Sequence, residues 1–141
     1  MLYKFIRKFL LPITLCAIGS NAWAGIVVVV HPSNSAELDA KQVQRIFLGK
    51  EKKFSDGKEA LPINSASSYP SRELFDSTVL NRSSSQVSAY WSKLVFTGKG
   101  IPPKEVNNDA AVIEIVANNP NAVGYVDSGS VTADVKAITL N

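Results

Sequence analysis

Ile26 to Val30 is a run of five consecutive β-branched residues, and it limits the fold more than anything else in the chain. Such side chains are stiff at χ1 and favour the extended backbone. A strand with one wet face alternates apolar and polar residues. An unbroken apolar run fits a strand covered on both faces, as in a parallel or mixed sheet between helices. His31-Pro32-Ser33-Asn34-Ser35 then breaks the run.

The covering helices are legible downstream. Asp39 and Gln42 form a variant capping box that opens a helix at about Ala40, with Leu38 and Val43 placed as a hydrophobic staple. Val43, Ile46 and Phe47 share one face, and Gly49 is the stop. Lys50 to Lys58 reads as a charged loop with an Asp56-Gly57 turn. A second strand centres on Leu61 and Ile63, and Pro62 marks it as short or at a sheet edge. A serine-rich stretch, residues 65–71, leads into a helix over about Pro70 to Leu80 with Leu74, Phe75 and Val79 inward. Ser83 and Gln86 make a second capping box. Val87, Tyr90, Trp91, Leu94 and Val95 follow as one apolar stripe at helical spacing, predicting a largely buried Trp91. A further helix starts near Asp109, packs Val112, Ile113 and Val116, and ends at Asn118-Asn119-Pro120. Ala122 to Val126 and Val135 to Leu140 are two more strands. Interleaved strands and helices define an α/β class with a small mixed sheet flanked by helices.

Residues 1–24 read as a cleavable export signal. Lys4, Arg7 and Lys8 precede an apolar stretch from Phe9 to Ile18, and Ala22-Trp23-Ala24 is an A-x-A cleavage site. The apolar stretch falls short of the roughly 20 residues that span a bilayer, which argues against an uncleaved anchor. Leu15 before Cys16 argues against a lipoprotein, which wants a small residue there. Cleavage leaves one domain, residues 25–141, beginning at Gly25, with no stable membrane anchor.

The signal holds three of the 15 Lys and Arg residues and none of the 12 Asp and Glu residues, so the remaining chain has 12 of each and a formal charge of zero. That balance points away from nucleic acid as a partner. Cys16 is the single cysteine and His31 the single histidine. The mature chain therefore has no disulfide, no thiolate nucleophile and no Cys- or His-rich metal site, and no cofactor is called for. The sequence has no G-x-S-x-G elbow, Walker motif or G-x-G-x-x-G. Thr97-Gly98-Lys99-Gly100 follows a helix rather than a strand and reads as a turn. A small hydrolase is disfavoured because no nucleophile–base pair is visible. The serine-rich approach to Pro70 is different. A helix N-terminus offers unpaired N–H groups and the positive end of the dipole, and Ser67, Ser68, Ser71 and Arg72 add hydroxyls and a first-turn charge suited to an oxyanion. A solvated turn with one capping serine is the plainer alternative.

Four segments taken in order resemble type II periplasmic solute-binding proteins, and most closely the phosphate-binding subunit of ABC importers. They are AELDAKQVQRIFLGK (36–50), LPINSASSYPSRELF (61–75), AYWSKLVFTGKGIPPKEV (89–106) and NNPNAVGYVD (118–127). The resemblance covers nearly all of residues 26–140 and implies a single periplasmic-binding-protein-like lobe. It further implies a non-enzymatic periplasmic role, a small oxyanion such as phosphate as ligand, and an ABC permease or envelope protein as partner. The family's oxyanion loop carries an arginine, a short spacer and Ser-Gly-Thr. Here Asn64 stands at the arginine and Tyr69-Pro70-Ser71 at the triplet, with Arg72 one residue later. The second functional reading is an interaction or sensor module that keeps the lobe without the ligand.

Overall fold

The Ile26–Val30 run becomes β1, an inner strand of a five-stranded mixed sheet. The computed structural model describes residues 25–140; residues 1–24, on which the signal reading falls, and Asn141 lie outside them. Helix α1 (Ala40–Phe47) follows β1, and β2 (Leu61–Ser65) leads into α2 (Pro70–Thr78) and α3 (Ser84–Phe96). Then come β3 (Lys104–Val106), α4 (Asp109–Asn118), β4 (Ala122–Asp127), a 3₁₀ turn (Ser128–Ser130) and β5 (Lys136–Ile138). The strand order is β3-β2-β4-β1-β5. β2 runs parallel to both β3 and β4, whereas β1 is antiparallel to β4 and β5.

Both faces of β1 are covered. Val28 and Val30 belong to a core with Phe47, Phe75, Val87, Trp91 and Tyr125, built from α1, α2 and α3. Val29 belongs to a second core on the opposite face, with Ile63, Val112, Val116 and Val126 beneath α4. The strand's two-residue period thus feeds two layers at once. Gly124 makes the second layer possible, because a Cβ there would stand 2.6 Å from Val112 Cγ1.

Both capping boxes form, with Gln42 N–H donating to Asp39 and Gln86 N–H to Ser83 while each glutamine side chain returns a bond to the cap backbone. Gly49, at φ 71°, terminates α1 in the left-handed region. Thr97-Gly98-Lys99-Gly100 is a turn closing α3, with Gly98 at φ 69°.

Three expectations need correction. Strand β2 is not at an edge: β3, missed in the sequence, lies outside it. Pro62 is tolerated because the Leu61 N–H points to the β4 side, bonding Asn121 O, so the proline nitrogen faces β3. Pairing with β3 begins only at Ile63, so no ladder donor is lost. Leu74 is not inward. Helix α2 is turned so that Arg72, Phe75 and Asp76 face the core while Leu74 is 37% exposed. Val95 does not join the buried stripe of α3, which narrows to Val87 and Trp91. The charged loop after α1 also supplies a core residue, for Phe54 is buried in the first core.

Candidate functional site

The carboxyl ends of the three parallel strands β2, β3 and β4 lie at one edge of the sheet, where open α/β sheets place their ligand crevices. Two helices begin at that edge. Tyr69 is the N-cap of α2 and offers no side-chain cap bond, and Pro70 fills the first turn. Asn108 caps α4 by accepting from the Ala111 N–H. Between the two helix starts lies a crevice of about 350 Å³ lined by Tyr69, Pro70, Ser71, Leu74, Asp109, Asp127 and Ser130.

The four predicted residues divide into two pairs. Ser67 and Ser68 sit exposed on the turn between β2 and α2. The turn is fixed from behind, since Ala66 N–H bonds Val106 O and Tyr69 N–H bonds Ala66 O. Neither serine has a hydrogen bond within the described residues, so their N–H and hydroxyl groups face solvent. Ser71 and Arg72 point inward. The buried Ser71 hydroxyl donates to Asp109 Oδ1 at 3.1 Å, and Asp109 Oδ2 accepts the Asp127 N–H at 3.0 Å. The Asp109 carboxylate therefore ties α2, α4 and the end of β4 together.

Arg72 departs most from its expected setting. A first-turn arginine should be exposed, yet this one is 3% exposed. Its Nε donates to Asp76 Oδ2 at 2.9 Å, and its Nη1 to Ser65 O and to Glu105 Oε1, both at 3.0 Å. Burial works against the guanidinium charge, but Asp76 and Glu105 outweigh it and hold the group above its ordinary value. Asp76 is fully buried and also accepts from the Ser84 hydroxyl at 2.8 Å. Arg72 thus clamps β2, α2 and β3 from within, and its bond to Ser65 O holds the base of the serine turn. The i, i+4 Arg72–Asp76 pair also explains why α2 is rotated away from Leu74.

Asn64 has a comparable structural use. It is buried and accepts a hydrogen bond from the Tyr125 hydroxyl, which in turn accepts the Ser65 N–H at 3.1 Å. Tyr125 stacks on Phe75 with ring centroids 3.8 Å apart. Burial pushes the Tyr125 phenol well above its ordinary value. The folded protein then holds this proton more tightly than the unfolded chain does. Its contribution is intact below the ordinary phenol value of about 10 and is lost as pH rises through and beyond it. Denaturant midpoints should fall above about pH 10 in the wild type. Tyr125→Phe should flatten that fall while costing about 1–3 kcal/mol at neutral pH, because Asn64 loses its partner. An unchanged alkaline slope in the variant would contradict this.

His31 is paired locally, its Nδ1 2.7 Å from Ser33 Oγ. Among the described residues no cluster of three His, Cys, Asp or Glu side chains could hold a metal, and no helix is long and apolar enough to cross a membrane.

Solved structures that share this arrangement, a mixed sheet with two helix starts at the carboxyl edge of its parallel strands, include phosphate receptors. An ABC-type phosphate transport receptor from Vibrio cholerae superposes with TM-score 0.64 at 21% identity, over 82% of this chain and 46% of that one. A phosphate ABC transporter substrate-binding protein from Clostridium perfringens, solved with bound phosphate, gives TM-score 0.66 at 17% identity, over 82% and 44%. PstS from Borrelia burgdorferi gives 0.63 at 15%, over 83% and 47%. The chain spans less than half the length of each of these proteins, and the fold is that of a single lobe. No family model and no curated protein sequence matches it.

Proposed function

We propose that the protein is a non-enzymatic, extracytoplasmic binding lobe that takes a small oxyanion, phosphate first, at the Ser67–Ser71 turn for an ABC-type transport system. The observation that carries this reading is the turn itself. Two exposed serines present unpaired N–H and hydroxyl groups at the start of α2, on a fold otherwise matched to phosphate receptors. Neutral donors and the helix dipole suffice to hold such an ion.

Ser67 and Ser68 make the direct contacts in this reading, and the Ser71 N–H adds a third donor. Arg72 and the Ser71 side chain hold the turn in shape. Asp109 and Asp127 line the adjoining crevice, so the ion sits on the serine side of the turn and binds weakly. One lobe leaves the ligand half-exposed, and a dissociation constant on the order of micromolar to millimolar follows. Ser67→Ala with Ser68→Ala removes two neutral hydrogen bonds, worth about 1 kcal/mol each, and should weaken phosphate binding about tenfold or more by calorimetry without changing stability. Unchanged affinity in the double variant would sink the assignment.

Export belongs to the same proposal. The protein recovered from the cell envelope should begin at Gly25 by intact mass, and a mass retaining Met1–Ala24 or lipid on Cys16 would contradict it. A second reading, an interaction module of the envelope without a small ligand, is favoured by one observation: Val95, Phe96 and Ile101 form an exposed apolar patch at the end of α3.

A further inference from the structure

Phe96 is 93% exposed and Ile101 90% exposed, while Val95 beside them is 53% exposed. Exposure this high means that the two large side chains protrude. The wall of a groove made to receive a peptide would be partly covered by its neighbours. Phe96 is the last residue of α3, and Ile101 follows the turn centred on Gly98, so both flank one protruding loop. Lys93, Lys99 and Lys104 on the same segment are also exposed. From Ser77 to Lys104 the sequence has four basic residues and no Asp or Glu, although the chain beyond the signal reading is neutral as a whole. The hollow beside Ile101, about 740 Å³, is lined by Lys52 and Lys99 together with Leu48, Trp91, Leu94 and Val95, and by no acid, while the hollow on the Phe96 side holds one acid, Glu105, bonded to Arg72.

We propose that this tip docks on an anionic lipid surface, with Phe96 and Ile101 entering the headgroup–acyl boundary and Lys52, Lys93, Lys99 and Lys104 meeting the lipid phosphates. Two apolar knobs on a lysine-bearing loop are the composition of an interfacial anchor, in which lysine stems lie along the apolar region and the ammonium groups stay in the polar layer. Each lysine near such a surface adds to binding in a salt-dependent way. A second copy of this chain is a poor occupant, because a symmetric contact would set these lysines against their own images. Neither Ser67 nor Ser68 lines the hollows beside Phe96 and Ile101, so the inference does not rest on phosphate binding.

Co-sedimentation of the envelope-purified protein with vesicles tests it. Vesicles of phosphatidylglycerol mixed with phosphatidylethanolamine should retain the protein at low salt and release it at high salt, and phosphatidylcholine vesicles should not retain it. Phe96→Ser with Ile101→Ser should weaken partitioning at least about tenfold, and Lys93→Glu with Lys99→Glu should weaken it similarly and remove the salt dependence. All four positions are exposed, so circular dichroism should report an unchanged fold. The proposal is overturned by equal partitioning of either double variant and the wild type. It is also overturned by equal partitioning into neutral and anionic vesicles, and by no partitioning at all, which would turn the patch over to an acidic protein partner.

Discussion

Arg72→Ala is expected to destabilise the domain by about 3–5 kcal/mol, although the residue stands in the first turn of a surface helix. The size follows from what is left behind. Asp76 is fully buried, and without Arg72 it keeps, among the described residues, the Ser84 hydroxyl as its one side-chain partner. Its Oδ1 already has no hydrogen bond, so the network has no slack. The variant would therefore enclose an uncompensated carboxylate, the costly way to break a buried pair. Arg72→Lys should recover little, because a single ammonium cannot reproduce the fork that meets Asp76, Ser65 O and Glu105 together. Arg72→Met combined with Asp76→Leu should recover most of the loss, since removing both charges removes the desolvation cost with them. Urea denaturation of the three variants measures this. A loss under about 1 kcal/mol in Arg72→Ala would mean that the guanidinium faces solvent and is free for a ligand, as its sequence position suggests.

Trp91→Ala should cost about 3–5 kcal/mol by a different route, a cavity. The indole is 7% exposed and lies against two glycines. A Cβ at Gly49 would stand 2.7 Å from its ring and one at Gly100 3.2 Å away. Tyr90 meets the indole edge-on at 5.4 Å and is itself held by its hydroxyl donating to Leu48 O at 2.6 Å. Hollows lie on either side of the indole, and its removal would join them rather than let the helix collapse inward. The indole Nε1 is buried without a hydrogen bond, so Trp91→Phe forfeits no polar partner and should cost much less. Denaturant unfolding of both variants checks the pair. Near-equal losses would show that the Nε1 has a partner after all.

The features legible in the sequence are those fixed by local chemistry. The β-branched run gave β1 its two covered faces, and the two capping boxes and Gly49 mark helix ends because a cap is a contact between near neighbours in the chain. The features that were not legible depend on partners far along the chain. β3 is a three-residue strand reading Lys-Glu-Val, with no apolar alternation to announce it. The rotation of α2 was hidden because Leu74 is the apolar residue, while the buried arginine is made tolerable by Asp76 one turn on and by Glu105 from β3. An i, i+4 Arg–Asp pair beside a phenylalanine was the available signal, and it reads equally well as a surface ion pair. Of the four candidate residues, Ser67 and Ser68 lie on an exposed turn, as a serine-rich run before a helix suggests, whereas Ser71 and Arg72 answer to Asp109 and Asp76, positions the sequence places 38 and 4 residues away. Asn64, which reads as a lost ligand, is the acceptor for Tyr125, 61 residues later.

The central claim is that the serine turn is an anion site on a single lobe, and amide NMR during phosphate titration tests it most directly. Saturable shifts centred on Ser67, Ser68 and Ser71 are expected, with a dissociation constant on the order of micromolar to millimolar and little change in β1 or β5. Shifts absent at millimolar phosphate, or confined to residues away from the start of α2, would contradict it.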